Sequence, residues 1–140
     1  MTVKQISVFL ENKAGCLAEF TNLLSENNIN MRALSVAENP DFGILRVIVD
    51  DVYKTSSVLK EAEYVFSITP VLAVEFQDVS GGLAGVVDVL SKNDINIEYM
   101  HAFTARKKDV AYMVFRVEDN KKAIDILTKN GITPLCQSDL

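Results

Sequence analysis

The sequence predicts an α+β protein built from two ferredoxin-like βαββαβ units packed together, each an antiparallel sheet with its helices on one face. Three observations predict it. The chain contains an internal repeat, each copy alternates strand-like and helix-like apolar periods in the same order, and 140 residues hold two such copies with almost nothing left over.

The repeat is read by aligning residues 12–34 with residues 78–100, an offset of 66. Eight of the twenty-three positions are identical, among them Gly15 and Gly81, Leu17 and Leu83, Leu24 and Leu90, Ile29 and Ile95, and Asn30 and Asn96. No gap is needed. Farther along the offset becomes 68, so that Val58-Leu59 faces Ile126-Leu127. The two extra residues fall near Pro40 and Arg106, where a hairpin tip absorbs an insertion. Two domains follow, residues 1–69 and 70–140.

In the first copy, Val3–Phe9 is rich in β-branched residues and reads as a strand. From Gly15 to Glu26, Leu17, Phe20, Leu23 and Leu24 share one helical face. Asn27-Asn28 stops that helix, because Asn tolerates the left-handed conformation of helix C-termini. Ile29–Val36 is the next strand, and Asn39-Pro40-Asp41-Phe42-Gly43 is a turn. Ile44–Val49 is a nearly continuous apolar run suited to a central strand. Asp50 or Asp51 caps a second helix running through Ala62, and Val65–Ile68 is a short last strand.

The second copy repeats this order. Its strands are Val71–Phe76, Asn96–Thr104, Asp109–Val117 and a short one near Ile132, with helices over Gly82–Lys92 and Asn120–Asn130. Only Thr69 and Pro70 separate the last strand of one copy from the first of the next. Units of about 70 residues bury little surface alone, and each leaves a sheet face open; packing of the two units and a further homodimer are expected.

Composition excludes several function classes. The net charge is −5, and the densest basic stretch, Arg106-Lys107-Lys108, is followed at once by Asp109, so no nucleic acid is expected as a partner. No apolar run nears the ~20 residues of a membrane span, and Met1–Lys4 lacks the features of a signal peptide. Cys16 and Cys136 form no metal motif, and a single histidine, His101, makes no metal cluster. No cofactor and a cytoplasmic location are expected.

The chemistry gathers at the start of the first helix in each copy. There the chain reads Glu11-Asn12-Lys13-Ala14-Gly15-Cys16-Leu17 and Gln77-Asp78-Val79-Ser80-Gly81-Gly82-Leu83. A polar side chain at the strand exit is followed by Gly at the helix mouth. Main-chain N–H groups there favour an anion such as a carboxylate, while Asn12 or Asp78 would accept from an ammonium group. The same residues also suit plain helix caps or turn formers. Asn30 and Asn96 stand at strand starts, where Asn is unfavourable by propensity; turn residues leaving a helix are the alternative.

The pattern of strand, [Asn/Asp]-x-x-Gly-x-Leu, helix and Ile-Asn resembles the ACT domain family of amino-acid metabolism, and it does so twice over nearly the whole chain. The resemblance implies a regulatory protein with no catalytic residues, binding a free amino acid between two ACT units and partnering an enzyme or regulator. It implicates Glu11, Asn12, Ala14, Gly15, Cys16 and Leu17 with Asn30, and Gln77, Asp78, Ser80, Gly81, Gly82 and Leu83 with Asn96. The chain departs from the family in having Ala14 and Ser80 where Pro is common before the glycine, and Asp78 where Asn is common. Two other readings remain at this point. One is a small acylphosphatase-like hydrolase, although neither loop holds an Arg; the other is an assembly adaptor using sheet edges.

Overall fold

The computed structural model describes residues 1–38, 40–103 and 105–140. Strands and helices follow in the order β1 (Val3–Glu11), α1 (Cys16–Glu26), β2 (Met31–Glu38), β3 (Phe42–Val49), α2 (Val52–Glu61), β4 (Phe66–Gln77), α3 (Gly82–Lys92), β5 (Ile97–Phe103), β6 (Val110–Val117) and α4 (Asn120–Lys129). A 3-10 turn, Gln137–Asp139, follows. This is βαββαβ twice, with β4 serving as the last strand of one copy and the first of the next. The chain forms two compact units, one of Lys4–Thr69 and one of Pro70–Leu140 together with Met1–Val3.

In the first unit the strands lie in the order β2-β3-β1-β4. β1 and β3 are antiparallel with Val8 opposite Leu45, and β2 and β3 are antiparallel with Val36 opposite Leu45. Alternate residues of β1 and β3, namely Ile6, Val8, Leu10, Leu45, Val47 and Val49, face Phe20 and Leu24 of α1 and Leu59 of α2 in one apolar core. The period-2 pattern of the strands thereby meets the 3.6 period of both helices on a single sheet face.

The second unit repeats the plan with β4-β6-β5, where Val74 lies opposite Met113 and Met100 opposite Phe115. Its core gathers Leu72, Val74, Phe115 and Val117 with Val86 and Leu90 of α3 and Ala123 and Leu127 of α4. Helix ends match the repeat as well. Asn28 and Asp94 each leave a helix at φ 55°, the left-handed turn expected of Asn27-Asn28.

Two expectations are corrected. The strands placed on either side of Pro70 are one strand, Phe66–Gln77. Proline's fixed φ suits an extended backbone, and a strand tolerates its missing N–H wherever no ladder bond is required of it. The Pro70 carbonyl, for its part, accepts from Asn120 Nδ2 at 3.1 Å and Arg116 Nη1 at 3.4 Å. The short last strand near Ile132 shrinks to a single bridge, Pro134 opposite Val74, with Leu135 N–H donating to the Ala73 carbonyl at 2.7 Å. Ile132 itself packs on the core. Two residues of the expected elements, Asn39 of the hairpin turn and Thr104 of the expected strand Asn96–Thr104, lie outside the described residues.

Candidate functional site

Four helices begin in two different ways. α2 and α4 carry side-chain caps: Asp51 accepts from Lys54 N–H at 2.9 Å and Asp119 from Lys122 N–H at 3.0 Å. α1 and α3 begin on Gly15 and Gly81, at φ 93° and 86°, with no side-chain cap. Helix geometry gives the amides of Leu17 and Ala18, and of Leu83 and Ala84, no acceptor inside their own helices. Gly15 and Gly81 have no side chains with which to close these helices in the way Asp51 and Asp119 close theirs. A Cβ added to Gly15 or Gly81 would meet nothing within 4 Å, so both helix mouths face open space. Partial positive charge of the macrodipole concentrates at such ends.

Crevices adjoin both mouths. In the first unit one of about 140 Å³ is lined by Leu10, Glu11, Asn12, Lys13, Leu17, Val36 and Gly43. A second, of about 310 Å³, lies on the other flank of α1, against Phe9, Lys13, Cys16, Glu19 and Tyr64. Lys13 Nζ pairs with Glu11 Oε2 at 2.7 Å; that hydrogen bond, reinforced by charge, holds the Glu11 carboxyl below its usual range and lifts the Lys13 ammonium. In the second unit the flank of α3 opens into a cavity of about 1000 Å³. Gln77, Ser80, Gly81 and Gly82 line it, together with Glu75, Gly85, Lys107, Tyr112, Ile132 and Asp139. Lys107 Nζ donates to Glu75 Oε2 at 3.0 Å, and this bond and its charge raise the Lys107 ammonium.

Of the residues singled out in the sequence, these crevices collect Glu11, Asn12, Cys16 and Leu17 in the first unit and Gln77, Ser80, Gly81 and Gly82 in the second. Exposed Ala14 and Gly15 flank the first mouth outside both crevice linings. Asp78 is exposed, with its N–H on the Asp109 carbonyl at 3.0 Å, and neither it nor Leu83 lines the large cavity.

Asn30 and Asn96 lie elsewhere. Asn30 N–H donates to Asp50 Oδ1 and its carbonyl accepts from Asp50 N–H, both at 3.1 Å, at the end of β3. The mouth of α1 stands beside the start of β3, where Gly43 pairs with Leu10. Eleven residues of helix, roughly 16 Å, separate the two ends. Asn96 likewise lines a separate acidic cleft of about 590 Å³ with Asp94, Glu98, Glu118 and Asp119. Each Asn thus occupies the opposite end of its unit from its helix mouth. Among the described residues no group of three or more His, Cys, Asp or Glu is placed to hold a metal, and Cys16 and Cys136 are free thiols.

The comparison with protein families decides the kinship: the model of the ACT domain pair matches residues 1–140. The chain belongs to the ACT domain pair family. This is a family of regulatory domains. Among solved structures, this ACT pair is similar to a protein of Bacteroides thetaiotaomicron, at 42% identity over 99% of this chain and 95% of that one, with a TM-score of 0.93. It shares its fold with the regulatory subunit of aspartate kinase from Thermus thermophilus, at 16% identity, 90% and 91% coverage and a TM-score of 0.64. It shares it also with E. coli aspartokinase III, solved in complex with aspartate and ADP, at 20% identity and a TM-score of 0.56; there the likeness covers 92% of this chain and 32% of that one. No curated protein matches. No helix among the described residues of the ACT pair is long and apolar enough to cross a membrane.

Sequence reasoning missed the far wall of the large cavity. Glu75, Gly85 and Lys107 carry no motif. The usable signal was the misfit between copies, since Gly82 and Gly85 stand at the repeat positions of Cys16 and Glu19.

Proposed function

We propose that this ACT pair is a non-enzymatic sensor that binds a free amino acid at the mouths of α1 and α3 and regulates a partner enzyme or regulator in amino-acid metabolism. The observation that carries the reading is the contrast in capping. Two helices of the fold are closed by Asp51 and Asp119, while the two repeat-related leading helices begin on bare left-handed glycines beside crevices. A carboxylate there would satisfy amides that helix geometry leaves without acceptors. Glu11, Asn12, Ala14, Gly15, Cys16 and Leu17 form the first mouth, and Gln77, Asp78, Ser80, Gly81, Gly82 and Leu83 the second, with Asn12 and Asp78 offered to the ammonium group.

Because Asn30 and Asn96 lie at the far ends of their own units, a ligand touching both a mouth and such an Asn takes the Asn from another ACT unit, as a homodimer would supply. Exposed Leu17, Leu34 and Val36 in the first unit suit burial in such a homodimer. Kinship with a regulatory family and the fold shared with an aspartate kinase regulatory subunit support the role. A ligand shifts such an assembly only through its differential affinity for the two arrangements.

Thermal-shift measurements against the twenty amino acids, with light scattering of the free and liganded chain, test the proposal. A rise in Tm for one or a few amino acids, on a dimer, is expected. A flat response to all twenty overturns it.

A further inference from the structure

The two flank crevices are the same feature of the fold in two copies. By the repeat offsets, Phe9, Cys16, Glu19 and Tyr64 of the smaller one correspond to Glu75, Gly82, Gly85 and Ile132 of the larger. Volume follows the side chains. In the first unit Glu19 and Tyr64 occupy the space beside α1, and Tyr64 stands edge-on to Phe20 at 5.6 Å. In the second, glycine at both helix positions leaves about 1000 Å³ in place of about 310 Å³. A Cβ at Gly85 would meet nothing within 4 Å, so that face of α3 is bare toward the opening. Gly82 has no such latitude: a Cβ there would strike the carbonyl oxygen of Gln77, so the helix mouth sits directly on the strand exit.

We infer that the two units differ in the size of amino acid they admit. The second unit takes a large, apolar-bodied side chain along α3, over Val86, Val89 and Ile132, and Gly85 is the residue that sets the limit. The inference rests on the reading that the helix mouths bind amino acids. The zwitterion's carboxylate would sit at the α3 mouth on the amides of Leu83 and Ala84, next to Gly81 and Gly82, which line the cavity; the Gly82 N–H is itself held by the Val79 carbonyl at 3.0 Å. Its side chain would then run over apolar residues that have already lost most of their water. In the first unit Glu19 and Tyr64 line that path and narrow it.

The test is a size series at one position of the full chain. Gly85→Ala adds a methyl group, and Gly85→Gln adds a side chain as long as Glu19 without its charge. Both substitutions favour the helix, so folding is retained. Titration calorimetry is run with alanine and serine as small probes and with leucine, methionine, phenylalanine and tyrosine as large ones. The wild type binds at least one large probe more tightly than alanine; Gly85→Ala stays within about twofold of it, and Gly85→Gln weakens it at least tenfold, or about 1.4 kcal/mol. Reciprocally, Glu19→Gly brings a second molecule of the large probe onto each chain. Large-probe affinity unchanged in Gly85→Gln, lost equally in Gly85→Ala, or lost together with that of the small probes overturns the inference. So does a wild type that binds small probes alone. No binding of any of the twenty amino acids to the wild type instead overturns the sensor reading beneath it.

Discussion

Within this short stretch of α3, three glycines serve three physical ends. Gly81 holds φ 86°, a region where a Cβ crowds the following carbonyl. Gly82 has an ordinary conformation but no room, because Gln77 lies against it. Gly85 has both an ordinary helical conformation and open space, and costs the helix the entropy of an unconstrained backbone. Alanine substitution separates them. Gly81→Ala is expected to lower stability by about 1–2 kcal/mol, Gly82→Ala by about 1–3 kcal/mol through forced displacement of backbone, and Gly85→Ala to raise it by about 0.5–1 kcal/mol. Urea denaturation of the three variants checks the order; a stabilising Gly82→Ala would show that the strand exit yields freely. The repeat alignment exposed these positions but could not rank them. Identity at Gly15 and Gly81 pointed to a conformational need, whereas the clash at Gly82 depends on how closely a helix approaches a strand, which only the folded chain reveals.

At the scale of elements, the helices were legible because each carries an apolar face with a physical stop. Asn27-Asn28 marks the end of α1 within a residue or two of the structure, and Asp51, one of the two caps the sequence offers for α2, closes it. Asp50, the other, instead binds the main chain of Asn30. β4 was misread because proline is a punctuation mark in sequence but only a missing donor in structure. The last strand failed for the opposite reason, since Ile132 has the apolar character of a strand residue but is spent on the core. Of the candidate sites, the helix mouths were legible and their flanks were not, because Glu75 and Lys107 lie 32 residues apart in sequence. Capping also separates Asp51 and Asp119 from the proposed ligand residue Asp78. Asp51→Ala and Asp119→Ala are each expected to cost about 1 kcal/mol in urea denaturation, as lost N-caps do. Asp78 is exposed and lies outside the N-cap position, which Gly81 holds; Asp78→Ala is expected to stay within about 0.5 kcal/mol of wild type while weakening binding of the amino acid found in the thermal-shift screen. A cost near 1 kcal/mol for Asp78→Ala would restore it to the structural residues.

Across the whole molecule, duplication produced two units of one plan whose walls have since diverged, and the divergence reaches their response to pH. Tyr64 and Ile132 are repeat partners, each packed on the core of its own unit. Burial pushes the Tyr64 phenol above its ordinary value, and the negative charges of Glu19 and Cys16 push the same way. Ile132 has nothing to titrate. A group whose folded pKa lies above its unfolded one contributes stability that is complete below the unfolded value, about 10 for tyrosine, and disappears as pH rises through the folded value. At this repeat position the first unit therefore carries an alkaline weakness that Ile132 cannot give the second. Tyr64→Phe keeps the ring against Phe20 and removes the ionisation. Urea midpoints measured from pH 8 to 11 are expected to fall less steeply for Tyr64→Phe than for wild type, with the two curves drawing apart only above about pH 10. Parallel curves over that range would mean that the phenolate finds solvent as readily in the folded chain as in the unfolded one, and that the crevice beside α1 is wetter than its lining of Phe9, Cys16 and Tyr64 implies.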